Sequence, residues 1–318
     1  MYRPGGQIGG RSIPGFGELV LVNADGGLDG FLGHGWDARR VQVLLGGDGF
    51  AFSEFGTVFD GTAQGVEATD DQLIVRARDW RHKLDVPVLT NQYAGTGGAE
   101  GNSDLKGAYK PVCFGRCRNI TPVLVEASTG LYQIHDGAIE DVDALHAGGV
   151  AYTKVGGTPA ANQYSVNVST GIVTVGGAPI TEQVTCDAKG AKPTTWLVTV
   201  ADIVEELVTT AGGFVAGDLD AASFTALNTA NGAIVGIYLR DQRSLLEALD
   251  ELLASVGGYY GFTRSGKFQV GRFEAPSGTP AVTFTDVEIL DLRRQPVGLP
   301  LFQVRVGYQP NWTVQVEF

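Results

Sequence analysis

Residues 164–175, YSVNVSTGIVTV, decide the fold class. Val166 and Val168 lead in, Ile172, Val173 and Val175 lead out, and Ser169-Thr170-Gly171 between them supplies the polar, glycine-ended turn of a β-hairpin. Working outward, residues 112–120, 122–127, 131–134, 138–142 and 150–154 are further short apolar runs bounded by turn residues. The first hundred residues repeat the pattern in 17–23 (GELVLVN), 40–45 (RVQVLL), 55–61 (FGTVFDG) and 72–78 (QLIVRAR). Val41, Val43 and Leu45 share one face, as do Leu73, Val75 and Ala77, the period-two signature of a half-buried strand. Asp70-Asp71 reads as the turn joining two of these strands. Strands at this spacing predict a small antiparallel barrel or sandwich in the first hundred residues and a second β unit after Lys110, and two small antiparallel barrel-like domains are expected.

The pattern changes after Pro193. Val200, Ile203, Val204, Leu207 and Val208 recur at helical spacing and stop at Gly212-Gly213. A shorter helix is expected over 221–229 with Asp220 as its N-cap. The strongest helix follows Asp241, with Leu245, Leu246, Leu249, Leu252, Leu253 and Val256 on one face and Gly257-Gly258 at its end. A strand-turn-strand follows through 259–262 and 267–273 around Arg264-Ser265-Gly266. The expected organisation is a first β-barrel-like domain over 1–92, a glycine-rich connecting loop over 93–109 and a second β domain over 110–194. An α+β insertion then covers 195–276, and strands over 277–318 return to the second β domain or end with the chain in mid-pattern. The fold class is therefore mainly β with a helix-and-hairpin insertion.

Composition narrows the function. Glycine accounts for 46 of 318 residues, roughly twice average usage, without a collagen period, as a turn-rich β chain requires. The 23 basic and 35 acidic residues leave a net charge of −12, which excludes a protein whose affinity comes from neutralising phosphates. No run of about 18 apolar residues occurs, and the glycine-rich first ten residues lack the apolar stretch of a signal peptide, so a soluble, unexported chain is expected. Cys113 and Cys117 fall on one predicted strand, where four residues span about 13 Å, too far for a disulfide. They are expected as buried structural thiols.

Catalytic and cofactor motifs are missing. There is no GxSxG or HExxH, and the loop glycines Gly95, Gly97, Gly98 and Gly101 fail the dinucleotide fingerprint because Glu100 stands where glycine is required. The densest group of potential ligands is His135, Asp136, Glu140, Asp141, Asp143 and His146. Its carboxylates could hold a divalent cation, but calcium-loop spacing is absent and Asp136-Gly137 also reads as a plain turn. The sequons at Asn119, Asn167 and Asn311 are short enough to arise by chance. Neither an enzyme nor a cofactor is expected.

Three ordered segments resemble the tail-hub and tail-tip structural proteins of long-tailed bacteriophages and related gene transfer agents. The first is 54–61 (EFGTVFDG) followed by 76–84 (RARDWRHKL). The second and most distinctive is 93–120 (YAGTGGAEGNSDLKGAYKPVCFGRCRNI) with 131–149 (LYQIHDGAIEDVDALHAGG). The third is 244–273 (SLLEALDELLASVGGYYGFTRSGKFQVGRF). The chain departs from the family in a short amino terminus that begins directly in Arg3-Pro4-Gly5-Gly6. The resemblance implies a trimeric hub ring at the virion tail tip, assembled in the bacterial cytoplasm, with barrel-like domains offering a six-fold-like ring to the tube and the insertion receiving tip or fibre proteins. It carries over no catalytic residue. Implied partners are further copies of the chain, distal tail or tube proteins, fibre or tip proteins and the host cell surface, with DNA only as passing cargo along acidic walls. The candidate interface is Tyr93, Gly95, Gly97, Gly98, Gly101, Lys110 and Pro111. A competing reading is a carbohydrate- or cell-surface-binding β protein using Trp36, Trp80, Tyr93, Tyr259, Tyr260 and Trp312. A cell-wall hydrolase built on His135 or Asp136 is the third.

Overall fold

The computed structural model of the chain describes residues 16–275 and, beyond them, Gly278, 282–285, 287–289, 291–293, Gly307 and 310–313. It is mainly β, 36% strand against 20% helix, and its large sheets are curled half-barrels. The first sheet contains β1 (Phe16–Val22), β2 (Arg40–Leu45), β3 (Gly56–Ala68) and β4 (Gln72–Arg78), in the order β1-β4-β3-β2. The Asp70-Asp71 turn joins β3 to β4, pairing Ala68 with Leu73 and Val66 with Val75. Leu73, Val75 and Ala77 are buried, as their alternation predicts. Four strands are too few to close round a filled interior, so the sheet curls, and among the described residues it is open at β1 and β2.

The second sheet has nine strands. In chain order they are β5 (Val112–Ile120), β6 (Val123–Glu126), β7 (Leu131–Gln133), β8 (Ile139–Ala147), β9 (Val150–Lys154), β10 (Gln163–Asn167), β11 (Ile172–Val175), β12 (Val184–Ala191) and β13 (Gly236–Leu239). Their spatial order is β13-β5-β12-β8-β9-β10-β11-β7-β6. The hairpin of 164–175 forms in register, Tyr164 opposite Val175 and Asn167 opposite Ile172. Two strands have no counterpart in the sequence reading. β12 is an interior strand, between β5 and β8, yet its buried residues include Cys186, Ala188 and Ala191, too small to announce a strand. The other, β13, is a four-residue run between two helices.

β5 serves two neighbours. Residues 112–115 pair with β13, and 116–120 pair with β12. The handover occurs at Gly115, whose φ of +64° turns the strand. Its N–H donates to Leu197 O at 3.1 Å, and the Arg116 N–H donates to Val235 O at 2.9 Å. A Cβ on Gly115 would sit 1.9 Å from Val235 O. Cys113 and Cys117 are free and buried, as expected of structural thiols. The Cys117 thiol donates to the Phe114 carbonyl at 3.5 Å, and its neighbour Cys113 and burial hold its pKa above the usual thiol range.

The α-helices among the described residues are α1 (Val200–Thr210), α2 (Ala221–Ala230) and α3 (Leu245–Ser255), which lie with the hairpin β14 (Gly258–Phe262) and β15 (Phe268–Arg272), and short 3-10 turns supply the rest of the helix. Thr199 caps α1 by accepting from the Asp202 N–H. Ser244 and Glu247 make a capping box at α3, a Ser-x-x-Glu signature present in the sequence. Asp220 precedes α2 as expected, but its side chain caps nothing; its carbonyl instead receives the Ser223 N–H and Oγ. One hydrophobic cluster ties this region to the sheet, since Ile203, Leu207, Leu249 and Phe268 share a core with Phe114 and Ile237. The closing strands expected over 301–308 and 312–318 lie outside the described residues apart from Gly307, Trp312 and Thr313. Asn311 bridges in parallel to Arg118, and the Trp312 N–H donates to Arg118 O at 3.3 Å.

Gly115→Ala is expected to cost at least about 2 kcal/mol, because a left-handed φ and a carbonyl in van der Waals overlap are imposed together. An unchanged denaturant midpoint would show that the bend tolerates a side chain. Leu249 is 0% exposed, so Leu249→Asp should cost on the order of 3–5 kcal/mol and prevent α3 from packing. Circular dichroism and denaturant unfolding read the outcome, and wild-type stability would refute the assigned helix face.

Candidate functional site

The glycine-rich loop is a folded object. Gly95, Gly97, Gly98 and Gly101 all have φ between +59° and +96°, so the run uses glycine to turn where other residues are strained. Glu100 organises it. One carboxylate oxygen accepts the Ala94 N–H at 3.0 Å and the other accepts Lys110 Nζ at 2.6 Å. The Lys110 hydrogen bond first, and then the Ala94 amide, hold the Glu100 carboxyl below its ordinary range. Lys110 also lies over the Tyr93 ring, 5.6 Å from its centroid.

The candidate interface residues therefore divide. Gly97 and Gly98 are exposed, and Gly95 and Lys110 are half-buried. Tyr93, Gly101 and Pro111 are buried and belong to the packing beneath the loop. The Tyr93 hydroxyl is buried with no described hydrogen-bond partner, and burial, with the charges of Asp136 and Glu100 behind it, pushes that phenol above its usual range. Glu100 is the residue the sequence reading passed over. It registered only as a departure from a nucleotide motif.

The potential metal ligands do not converge. Among the described residues no group of three or more His, Cys, Asp or Glu side chains is arranged to hold a metal ion. β8 explains this, because alternate side chains along a strand point to opposite faces and the acids meet cations on neighbouring strands. Glu140 pairs with Lys192 at 2.6 Å, Asp141 with Lys154, and Asp143 with Lys189 at 2.8 Å and Arg116 at 3.2 Å. His146 is half-buried on the same strand. Asp136 sits in the preceding turn and accepts Asn91 Nδ2 at 2.7 Å.

His135 has a separate environment. It is 8% exposed, its Nδ1 accepts the backbone N–H of Cys113 at 3.1 Å, and its ring meets Phe114 edge-on. Since Nδ1 is an acceptor, the neutral ring carries its proton on Nε2. Burial pushes its pKa down from the ordinary 6.5 to about 4, against the opposing pull of Asp136.

His135 and Asp136 line a cleft of about 310 Å³, between the segment 88–91, the start of β5, the turn 135–138 and the last turn of α1. Its floor is apolar, with Val88, Leu89, Phe114 and Leu207, and Glu206 stands at its α1 side. Burial first, and Glu205 second, raise the Glu206 carboxyl above its usual value. This volume is at the small end of ligand sites.

The aromatic candidates are mostly committed elsewhere. Tyr260 is buried and donates to Asp250 at 2.8 Å, and Trp36, Trp80 and Trp312 are half-buried. Tyr259 is exposed, packed on Phe273 with ring centroids 5.0 Å apart. Of the sequon asparagines, Asn119 spends its amide inside the protein, donating to Asn311 Oδ1 at 2.8 Å.

No family model matches the chain, and no curated protein matches it. Among the described residues no helix is long and apolar enough to cross a membrane.

The depressed pKa of His135 has a pH consequence. Between about pH 6.5 and 4 the unfolded chain binds a proton that the folded chain refuses, so its contribution is complete above 6.5 and is lost as pH falls through that window. The gap from 6.5 to about 4 corresponds to on the order of 3 kcal/mol. Denaturant unfolding from pH 7 to 4 should show this loss in the wild type and a flatter profile in His135→Asn, whose amide oxygen can still receive the Cys113 N–H. An imidazole that titrates near 6.5 by NMR would contradict it.

Proposed function

We propose that the chain is a structural protein of a phage or phage-like tail tip, forming a trimeric hub ring that closes or adapts the tail tube and docks tip or fibre proteins. It acts through interfaces rather than catalysis, resides in the virion, and meets DNA only as passing cargo. The observation that carries this reading is the open first half-barrel. Its edge strands β1 and β2 have no further strand beside them among the described residues. Val20, Leu21 and Val22 on β1, Leu45 on β2, and Phe50 and Phe52 just beyond it are exposed. Unpaired edges carrying apolar side chains are a liability for a free monomer and an asset for a ring, in which neighbouring copies cover them. The resemblance of 93–120 and 131–149 to tail-tip proteins supports the same assignment.

Sedimentation velocity is expected to show a species of three times the chain's mass. Val22→Lys with Leu45→Lys, two exposed positions, should shift it to monomer while leaving the circular dichroism spectrum unchanged. A wild-type chain that stays monomeric at high concentration and forms no ring with tail proteins would overturn the reading.

A further inference from the structure

We propose that the cleft between α1 and the 135–138 turn receives a lysine or arginine side chain from a partner polypeptide, its cationic head on Glu206 and its aliphatic stem on the apolar floor. The inference does not rest on the tail-tip reading and holds for any partner that presents such a side chain. Three features of the cleft carry it.

First, the Glu206 carboxylate is half-buried at the cleft and has no hydrogen-bond or ion-pair partner among the described residues. A carboxylate partly removed from water without a partner is costly, and a guanidinium or ammonium supplies charge and donors together. Its raised pKa expresses the same deficit, which a cation would relieve.

Second, the cation already in the lining cannot meet the need, because Lys110 is committed to Glu100 at 2.6 Å. Third, His135 is more than nine-tenths buried, its Nδ1 is occupied, and its Nε2–H has no described acceptor. A backbone carbonyl of the same incoming segment would accept it. An apolar floor with a carboxylate at the side matches the shape of a long cationic side chain, whose stem lies on apolar surface while its head reaches charge. A bare metal ion uses neither the floor nor the His135 donor.

The test uses the whole chain and two probes, Nα-acetyl-arginine amide and its uncharged isostere Nα-acetyl-citrulline amide, followed by NMR. The arginine probe should give saturable shifts at Leu89, Phe114, His135 and Leu207, and the citrulline probe should bind markedly more weakly. Glu206→Gln should weaken arginine binding by at least about ten-fold, the loss of one charge-assisted contact. Glu205→Gln, an exposed neighbour outside the cleft, should leave it unchanged. Thr210→Trp, exposed at the cleft's edge, should block it without unfolding the protein. Equal binding of the two probes, equal loss in the Glu205 and Glu206 variants, or no saturable shift in the cleft would each overturn the proposal. So would methyl glucoside binding there independently of Glu206, because that would make the cleft a sugar site.

Discussion

The rest of the structure depends on the bend of β5 at Gly115. A strand can hydrogen-bond on both sides along its length, but β5 divides its length between different neighbours, β13 toward its start and β12 toward its end. That division makes one body of the sheet and the helical region. Phe114, just before the bend, reaches the core of α1 and α3, whereas Cys117, just after it, faces the core of the second sheet. A straight β5 would leave β13 without a partner and the Val235 carbonyl without the Arg116 N–H. The insertion is thus attached through backbone pairing as well as side-chain packing.

The glycine-rich loop and the cleft follow from the same placement. Pro111 and Lys110 lead directly into β5, and the Pro111 carbonyl accepts the Asp136 N–H at 2.8 Å. The 135–138 turn, and with it His135, is fixed against the strand that carries the bend. Lys110 closes the loop from the other side through Glu100. A single short stretch, 110–115, therefore positions the loop, the histidine and one wall of the cleft.

Legibility tracked side-chain size and locality. The strands with large alternating residues, such as β4, β10 and β11, were readable because burial demands period two and large apolar side chains display it. In β2 the alternation holds for Val41 and Val43, but the bulge between Val43 and Leu44 breaks it and leaves Leu45 exposed, off the face expected for it. The helices were readable for the same reason at period 3.6, and their glycine stops matched the ends of α1 and α3. β12 was hidden because an interior strand squeezed between two others is built from Cys186, Ala188 and Ala191, residues as common elsewhere. The end of β3 was hidden as well, since Gln64, Gly65 and Glu67 extend it to Ala68 without adding an apolar run. In the candidate site, the loop's glycine content was visible but Glu100's role was not, because it depends on Lys110 arriving from ten residues away. Nothing local distinguishes Glu206 from Glu205. Only the packing of α1 puts one at the cleft and the other in water.

The ion pairs along β8 give the net charge a geography. Glu140, Asp141 and Asp143 are each matched by a lysine or arginine on β5, β9 or β12 or just past β12, so the carboxylates of β8 are paired on both faces of the strand. Such pairs largely cancel one another's field within a screening length of about 8 Å. Beyond that length these pairs contribute little to the field that a formal net charge of −12 sets up. Acidity along β8 thus goes into attraction between neighbouring strands, and these carboxylates bind the sheet to itself more than they charge its surroundings.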